Sequence, residues 1–112
     1  MPAIKRKIAA WSSRRSSTRF VDVRPAHDYG YGHIAGALEL PENEFDQRFP
    51  SLRPQLEKAR TIVVYCDSPR CARSLRVAIR LRELGLAQTQ IFPAGWNDWF
   101  NRELPIKRSI TR

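Results

Sequence analysis

The sequence has few of the residues that mark several common classes of protein. Its 112 residues include two cysteines, too few for a disulfide-stabilised scaffold, and we expect both thiols to be reduced in a cytoplasmic protein. No apolar stretch is longer than a short strand, which argues against a transmembrane span. Paired carboxylates, a glycine-rich nucleotide loop and a Ser-His-Asp pattern are also missing. The length fits one domain, able to bury roughly 60–70% of the surface of its unfolded chain.

Acidic residues are absent from the first 19 positions, which carry six basic residues. Ile4, Ile8 and Trp11 are helically spaced, so we predict that residues 1–18 contain a short helix packed on the edge of a sheet. Two alternatives are a basic arm for a membrane surface or nucleic acid and an organelle transit sequence. We favour the helix and expect no nucleic-acid partner, because charge runs are usually solvated and no aromatic residues interleave with the basic ones.

The rest of the chain is organised around residues 61–74, which read TIVVYCDSPRCARS. The run TIVVY is β-branched and aromatic without polar alternation, which is typical of a strand buried on both faces. From Ala72 the spacing is helical, and one apolar stripe is predicted at Leu75, Ala78, Ile79, Leu81 and Leu84. Cys66 therefore follows a central strand and precedes a helix, where open α/β sheets place their ligand sites.

The position of Cys66 favours a reactive thiolate. Backbone N–H groups at a helix start lack intrahelical partners, and the helix dipole adds partial positive charge, so such a loop attracts anions. A cysteine in this environment is a nucleophile beside an anion site. The alternative is that Cys66 is a small buried hydrophobe that ends the strand.

Strand patterns alternate with helix patterns along the chain. Strands are predicted at 19–24, 37–40, 61–65 and 89–92, and helices at 43–49, 53–59 and 95–100, with Pro50 and Pro54 separating the first two helices. This alternation predicts an α/β fold with a central, mostly parallel sheet that is flanked by helices on both faces.

Three separated segments resemble the signatures of the rhodanese-like domains. Residues 21–24 and 31–37 are similar to the family's Asp-x-Arg strand and its Gly-His-Ile-x-Gly-Ala turn. Residues 95–99, with Leu104-Pro105, resemble its C-terminal Gly-Trp-x-x-Trp signature. Cys66 lies where the family keeps its catalytic cysteine. The resemblance implies a rhodanese-like domain at 19–106, followed by a basic tail at 107–112.

The resemblance implies an enzyme that needs no cofactor, a sulfurtransferase of the thiosulfate:cyanide type. Cys66 would carry sulfane sulfur as a persulfide from a small donor such as thiosulfate to a thiol, to cyanide or to an acceptor protein. The expected substrate-binding residues are those of the loop: Asp67, Ser68, Arg70, Cys71, Ala72 and Arg73. Two alternatives are a phosphatase or arsenate reductase that uses the same cysteine, and a catalytically silent rhodanese-like binding module.

The loop departs from the family's pattern in its length. It is enlarged by two residues, and the six residues between Cys66 and Arg73 do not fit the five of the phosphatase relatives either. Pro69 has no N–H to offer an anion. We expect the extra residues to bulge outward or to extend the helix start. Cys71 is either a thiol that resolves a persulfide into a disulfide or a bystander, and we favour the bystander because a disulfide needs fixed geometry.

Other polar and aromatic residues have structural explanations. His27 and His33 with the two cysteines supply four potential zinc ligands, but their spacing follows no compact zinc pattern, so we expect no metal site. Asp22 is expected to be buried and satisfied by loop backbone. Trp96 and Trp99 are expected to anchor the core.

Overall fold

The computed structural model describes residues 17–109, in which strands and helices alternate. The strands are β1 (Thr18–Asp22), β2 (His33–Ile34), β3 (Leu38–Glu39), β4 (Thr61–Tyr65), β5 (Thr89–Phe92) and β6 (Ile106–Lys107). The helices are α1 (Ala26–Tyr31), α2 (Phe45–Lys58), α3 (Arg73–Glu83) and α4 (Gly95–Asn101), with a 3₁₀ helix at Glu42–Glu44.

Four of these strands form one parallel sheet in the order β3-β1-β4-β5. β4 lies between β1 and β5, with Val64 opposite Val21 on one side and Ile91 on the other. The predicted central strand and the predicted α/β fold are therefore confirmed. β2 and β6 form a separate antiparallel pair, in which His33 lies opposite Lys107. Sequence patterns did not indicate this small pair.

Apolar side chains cover both faces of the parallel sheet, as the unbroken apolar pattern of β4 predicts. Ile62, Val64 and Cys66 belong to a buried cluster with residues of α2 and α3. Val63 and Tyr65 belong to a second cluster that includes Trp99 of α4. Because successive residues of a strand point to opposite faces, β4 connects the two cores directly.

The region predicted as two short helices is one continuous helix, α2. Pro50 and Pro54 lie inside it, and both are exposed. Each proline removes one backbone hydrogen bond but leaves the opposite face of the helix intact. Phe45, Phe49 and Leu56 are buried on that face, and their packing holds the helix together across the prolines.

The apolar stripe predicted for α3 is wrong at three positions, because Leu75, Ile79 and Leu84 are exposed. The buried face of α3 consists of Ser74, Val77, Ala78 and Leu81. A helix rich in aliphatic residues has more than one apolar face, and the position of the sheet decides which face is buried. Here the buried face includes a serine.

The strands extend one residue beyond each end of the domain predicted at 19–106, since β1 begins at Thr18 and β6 ends at Lys107. The predicted N-terminal helix lies outside the described residues. Within the described range, no helix is both long enough and apolar enough to cross a membrane.

Candidate active site

Cys66 follows β4 directly and is only 2% exposed. The start of α4 holds its backbone, since the N–H of Trp96 donates to the Cys66 carbonyl at 2.8 Å. The N–H of Asn97 likewise donates to the Asp67 carbonyl at 2.9 Å. The first N–H groups of a helix have no intrahelical acceptors, so these carbonyls complete the helix end. The beginning of the loop is therefore fixed to the C-terminal signature segment.

Close packing at Gly95 makes these two hydrogen bonds possible. Gly95 has a φ of +71°, in the region where side chains are rarely tolerated. A Cβ there would lie 2.6 Å from the Cys66 carbonyl oxygen and 2.8 Å from the Asp67 carbonyl carbon. Only glycine lets the start of α4 approach the loop this closely.

Cys66 and Cys71 form a disulfide, with their Cα atoms 6.2 Å apart. The loop turns back after Asp67, and the N–H of Cys71 donates to the Ser68 carbonyl at 3.1 Å. This turn supplies the fixed geometry that a disulfide needs. The expectations that Cys71 is a bystander and that both thiols are free are therefore wrong for this structure.

The loop's charged residues lie in different environments. Arg73 is the first residue of α3, and its Nη1 atom lies 3.7 Å from Cys66 Sγ and 3.6 Å from Cys71 Sγ. Arg70 and Pro69 are exposed, at the tip of the turn between Asp67 and Cys71. Arg70 has no hydrogen bond or ion pair with any residue in the range 17–109.

A buried polar network lies beneath the loop. Asp22 is fully buried and accepts hydrogen bonds from Arg24 Nη2 at 2.7 Å, the Arg24 backbone N–H at 2.9 Å and the Tyr65 hydroxyl at 2.7 Å. We expected loop backbone to satisfy Asp22, and this is correct only for the bond from the Arg24 backbone N–H, since the other two donors are side chains. Tyr65 in turn accepts a hydrogen bond from the Ile34 N–H at 3.0 Å.

Arg24 connects this network to the loop. Its guanidinium carbon lies 4.7 Å from the centre of the Trp96 ring, and its Nη1 atom lies 3.9 Å from Asp67 Oδ1. Burial acts to lower the pKa of Arg24, but the hydrogen bond and charge of Asp22 outweigh burial and raise it. Burial, together with the charge of Asp22, raises the pKa of Tyr65 well above its usual value. Both groups therefore keep their protons in the folded protein.

The family model for the rhodanese-like domain matches residues 6–102. The chain belongs to the rhodanese-like domain family. The arrangement of a parallel sheet, a strand-end cysteine and a glycine-tryptophan helix is thus that of a rhodanese-like domain.

Curated relatives of this rhodanese-like domain include proteins with different activities. The dual specificity phosphatase Cdc25 of Arabidopsis thaliana is 28% identical over 102 residues, covering 85% of this chain and 70% of that protein. A tRNA uridine(34) hydroxylase of Pectobacterium carotovorum is 41% identical over 51 residues, covering 44% of this chain and 14% of that protein. The chain therefore spans only a small part of the hydroxylase.

Solved structures share the fold. The structure of a rhodanese with anions from E. coli has a TM-score of 0.61 and 25% identity, covering 81% of this chain and 98% of that one. A rhodanese-related protein from Thermoplasma volcanium has a TM-score of 0.68 and 22% identity, covering 89% of this chain and 93% of that one. At 22% identity, the similarity to the Thermoplasma protein shows a shared fold and nothing more.

The residues predicted for the site are distributed unevenly around the sulfur atoms. Arg73 and Cys71 contact Cys66, whereas Asp67 turns toward Arg24. Ser68 contributes its carbonyl to the turn, and Ala72 is exposed, with its carbonyl accepting from the N–H of Arg76.

Sequence reasoning missed the participation of Arg24, Gly95 and Trp96 in holding the loop. All three lie in segments that resemble the family's signatures, and this was the signal that could have identified them. Within residues 17–109, no group of three or more histidine, cysteine or acidic residues is arranged to hold a metal. His33 is buried instead, with Nδ1 2.8 Å from the Tyr29 carbonyl oxygen.

Proposed function

We propose that this rhodanese-like domain is a sulfurtransferase that carries sulfane sulfur as a persulfide on Cys66. The observation that supports this most is the position of Cys66 at the end of the central strand, with the guanidinium of Arg73 3.7 Å from its sulfur. A positive charge at this distance favours the thiolate over the thiol and attracts an anionic donor. Thiosulfate is such a donor.

The reaction begins from the reduced loop, because a disulfide sulfur is not a nucleophile. The Cys66 thiolate attacks the outer sulfur of thiosulfate, and sulfite leaves with the electron pair of the broken S–S bond. A thiol, cyanide or an acceptor protein then removes the outer sulfur from Cys66 in a second displacement. The proposal places the protein in a reducing compartment such as the cytoplasm, where the two cysteines are thiols.

A phosphatase or arsenate reductase that uses the same cysteine is the second candidate, and the similarity to the Arabidopsis Cdc25 phosphatase favours it. A tetrahedral oxyanion requires several inward N–H groups as well as an arginine. Pro69 has no N–H, and the N–H of Cys71 donates to Ser68 within the turn. The loop therefore lacks two of the N–H donors that an oxyanion would need. This supports transfer of a single sulfur atom over phosphate chemistry.

Sulfite release and intact mass test the nucleophile. Reduced protein freed of external thiol is mixed with thiosulfate, and we expect one sulfite per chain from the wild type and none from Cys66→Ser. Cys71→Ser is expected to complete this first step and to gain the mass of one sulfur atom. Sulfite release that survives in Cys66→Ser but disappears in Cys71→Ser would show that the nucleophile is wrongly assigned.

The same proteins are then assayed with cyanide and with para-nitrophenyl phosphate. Thiocyanate formation that requires Cys66 supports the sulfurtransferase, whereas phosphate release that disappears in Cys66→Ser would favour the second candidate. If neither thiocyanate nor phosphate forms, and thiosulfate releases no sulfite, the domain is a catalytically silent binding module.

Arg73→Ala is expected to raise the KM for thiosulfate about 10- to 100-fold at low ionic strength, since a hydrogen bond to a charged group contributes about 1.5–3 kcal/mol. The salt dependence of KM should become flatter, because one positive charge near the sulfur is lost. Initial rates of thiocyanate formation over a range of salt concentrations measure both effects.

Two arginines serve as controls for this variant. Arg70→Ala should raise KM by only about twofold, because Arg70 is exposed at the tip of the turn and acts through a screened charge. Arg60→Ala removes the same charge at the opposite end of β4, next to Thr61. If Arg73→Ala gives the same KM as Arg60→Ala, its side chain has no role in binding the donor.

A further inference from the structure

The disulfide joins the proposed nucleophile to a second cysteine of the same loop. We propose that this pair gives the domain a further activity, the reductive release of hydrogen sulfide from sulfane sulfur. Cys71 would be the resolving thiol that breaks the Cys66 persulfide from within the loop. This inference rests on the proposed persulfide chemistry of Cys66 and assigns the acceptor for its sulfur.

The two cysteines differ in how firmly their backbones are held. Hydrogen bonds from Trp96 and Asn97 fix the carbonyls of Cys66 and Asp67 to the start of α4. Cys71 lies at the end of an outward turn and is only partly buried. Cys66 is therefore held by a neighbouring helix, whereas the backbone of Cys71 is held within its own turn by the hydrogen bond to Ser68, and rotation of the Cys71 side chain is what would make room for a donor.

In the disulfide, the sulfur of Cys66 is bonded to Cys71, and Cys66 is 2% exposed. A donor can reach Cys66 only after the bond is reduced and Cys71 has moved aside. The reaction therefore starts from the dithiol and ends at the disulfide that the structure contains.

Arg73 serves both sulfur atoms. In the disulfide its Nη1 atom is 3.7 Å from Cys66 Sγ and 3.6 Å from Cys71 Sγ, so the guanidinium is within reach of negative charge on either sulfur. Such charge resides on Cys66 before the donor reacts and on Cys71 before the persulfide is resolved. One guanidinium can thus support both steps.

The second step balances as follows in atoms and electrons. The Cys71 thiolate attacks Cys66 Sγ, and a new bond forms between the two cysteine sulfurs. The bond between Cys66 Sγ and the outer sulfur breaks, and the outer sulfur leaves with the electron pair as hydrosulfide, keeping the persulfide proton. The sulfane sulfur gains two electrons, and each cysteine sulfur loses one. A dithiol reductant then returns the disulfide to two thiols.

Attack on the inner sulfur, rather than the outer one, is consistent with the pairing that the structure contains. The loop allows Cys71 to bond with Cys66 while the turn stays intact. The outer sulfur of a persulfide lies one bond further away. Attack there would only move the persulfide to Cys71, without releasing sulfide.

A single turnover with thiosulfate alone tests the inference. Reduced protein freed of external thiol is mixed with thiosulfate under nitrogen, and the gas stream is passed through zinc acetate to trap sulfide. Sulfite, trapped sulfide and intact mass are measured for the wild type, Cys71→Ser and Cys66→Ser. We expect the wild type to release sulfite and sulfide in equal amounts and to become two hydrogen atoms lighter than the reduced protein. Cys71→Ser should release sulfite without sulfide and retain the persulfide, a result that also shows that this variant folds and reacts.

Three results would overturn the inference. A wild-type protein that releases sulfite, keeps its persulfide and produces no sulfide would leave the sulfurtransferase in place but remove the reductive step. Equal sulfide from the wild type and Cys71→Ser would show that Cys71 is not the resolving thiol. Release of neither sulfite nor sulfide would mean that the proposed function itself is wrong.

Discussion

Asp22→Asn is expected to lower the free energy of unfolding by about 3–5 kcal/mol, the usual cost of removing one partner of a buried ion pair. The carboxylate is fully buried, and it pairs with Arg24, which is 3% exposed. In the variant, the guanidinium stays buried while its counter-charge is lost. Arg24 donates to both carboxylate oxygens, so in either orientation of the asparagine amide one Arg24 donor faces the NH2 group, and in one orientation the Tyr65 hydroxyl faces it as well.

Urea unfolding followed by tryptophan fluorescence measures this loss, with an unchanged denaturant slope as the sign that only stability has changed. Asp46→Asn is the matched control, because Asp46 pairs with Arg80 at 2.8 Å but its side chain is 87% exposed. A surface pair of this kind contributes less than about 1 kcal/mol. Equal losses in the two variants would contradict a structural role for the buried network.

The sequence was most informative where one local signal dominated. The TIVVY run predicted β4 with the bounds that the structure has, because a strand buried on both faces has no polar alternation to confuse the assignment. β5 likewise has its predicted bounds, and α4 extends only one residue past its predicted end at Phe100. The parallel sheet followed from the alternation of such segments with helices.

Helices were predicted less well where their buried face depended on the rest of the fold. Pro50 and Pro54 suggested a break, but proline weakens a helix by a limited amount, and the packing of α2 on the sheet outweighs that loss. In α3, the residues that face the core include Ser74, whereas Leu75 and Ile79 face solvent. Neither result can be obtained from spacing alone, because each is decided by where the sheet lies.

The candidate site was likewise predicted only in part. The location of Cys66 was predictable because a strand run and a helical pattern flank it in the sequence. The pairing with Cys71 depends on a turn stabilised by one backbone hydrogen bond to Ser68, which no residue pattern specified. The link from Arg24 to Asp67 joins positions 43 residues apart in the chain, and only the parallel pairing of β1 with β4 brings them together.

Gly95 is the point at which the C-terminal signature contacts the loop, and its replacement should damage both stability and activity. An alanine Cβ would lie 2.6 Å from the Cys66 carbonyl oxygen and 2.9 Å from the Asp67 carbonyl oxygen. These atoms are backbone, so they cannot rotate away as the end of a side chain would. Either α4 or the loop must move, and in both cases the hydrogen bonds that Cys66 and Asp67 accept are weakened.

Gly95→Ala is therefore expected to cost about 1–2 kcal/mol for a side chain in the left-handed region and about 1–3 kcal/mol more for the forced contact. Sulfite release from thiosulfate should also slow by about 100-fold, since a displacement of about 1 Å at a reacting group is enough for such a loss. Gly85→Ala is the matched control, because Gly85 has a φ of +99° but no atom within 4 Å of the added Cβ. It should show the conformational cost with normal sulfite release. If Gly95→Ala loses no more stability or activity than Gly85→Ala, then α4 does not position Cys66, and the loop holds its shape without help from the signature segment.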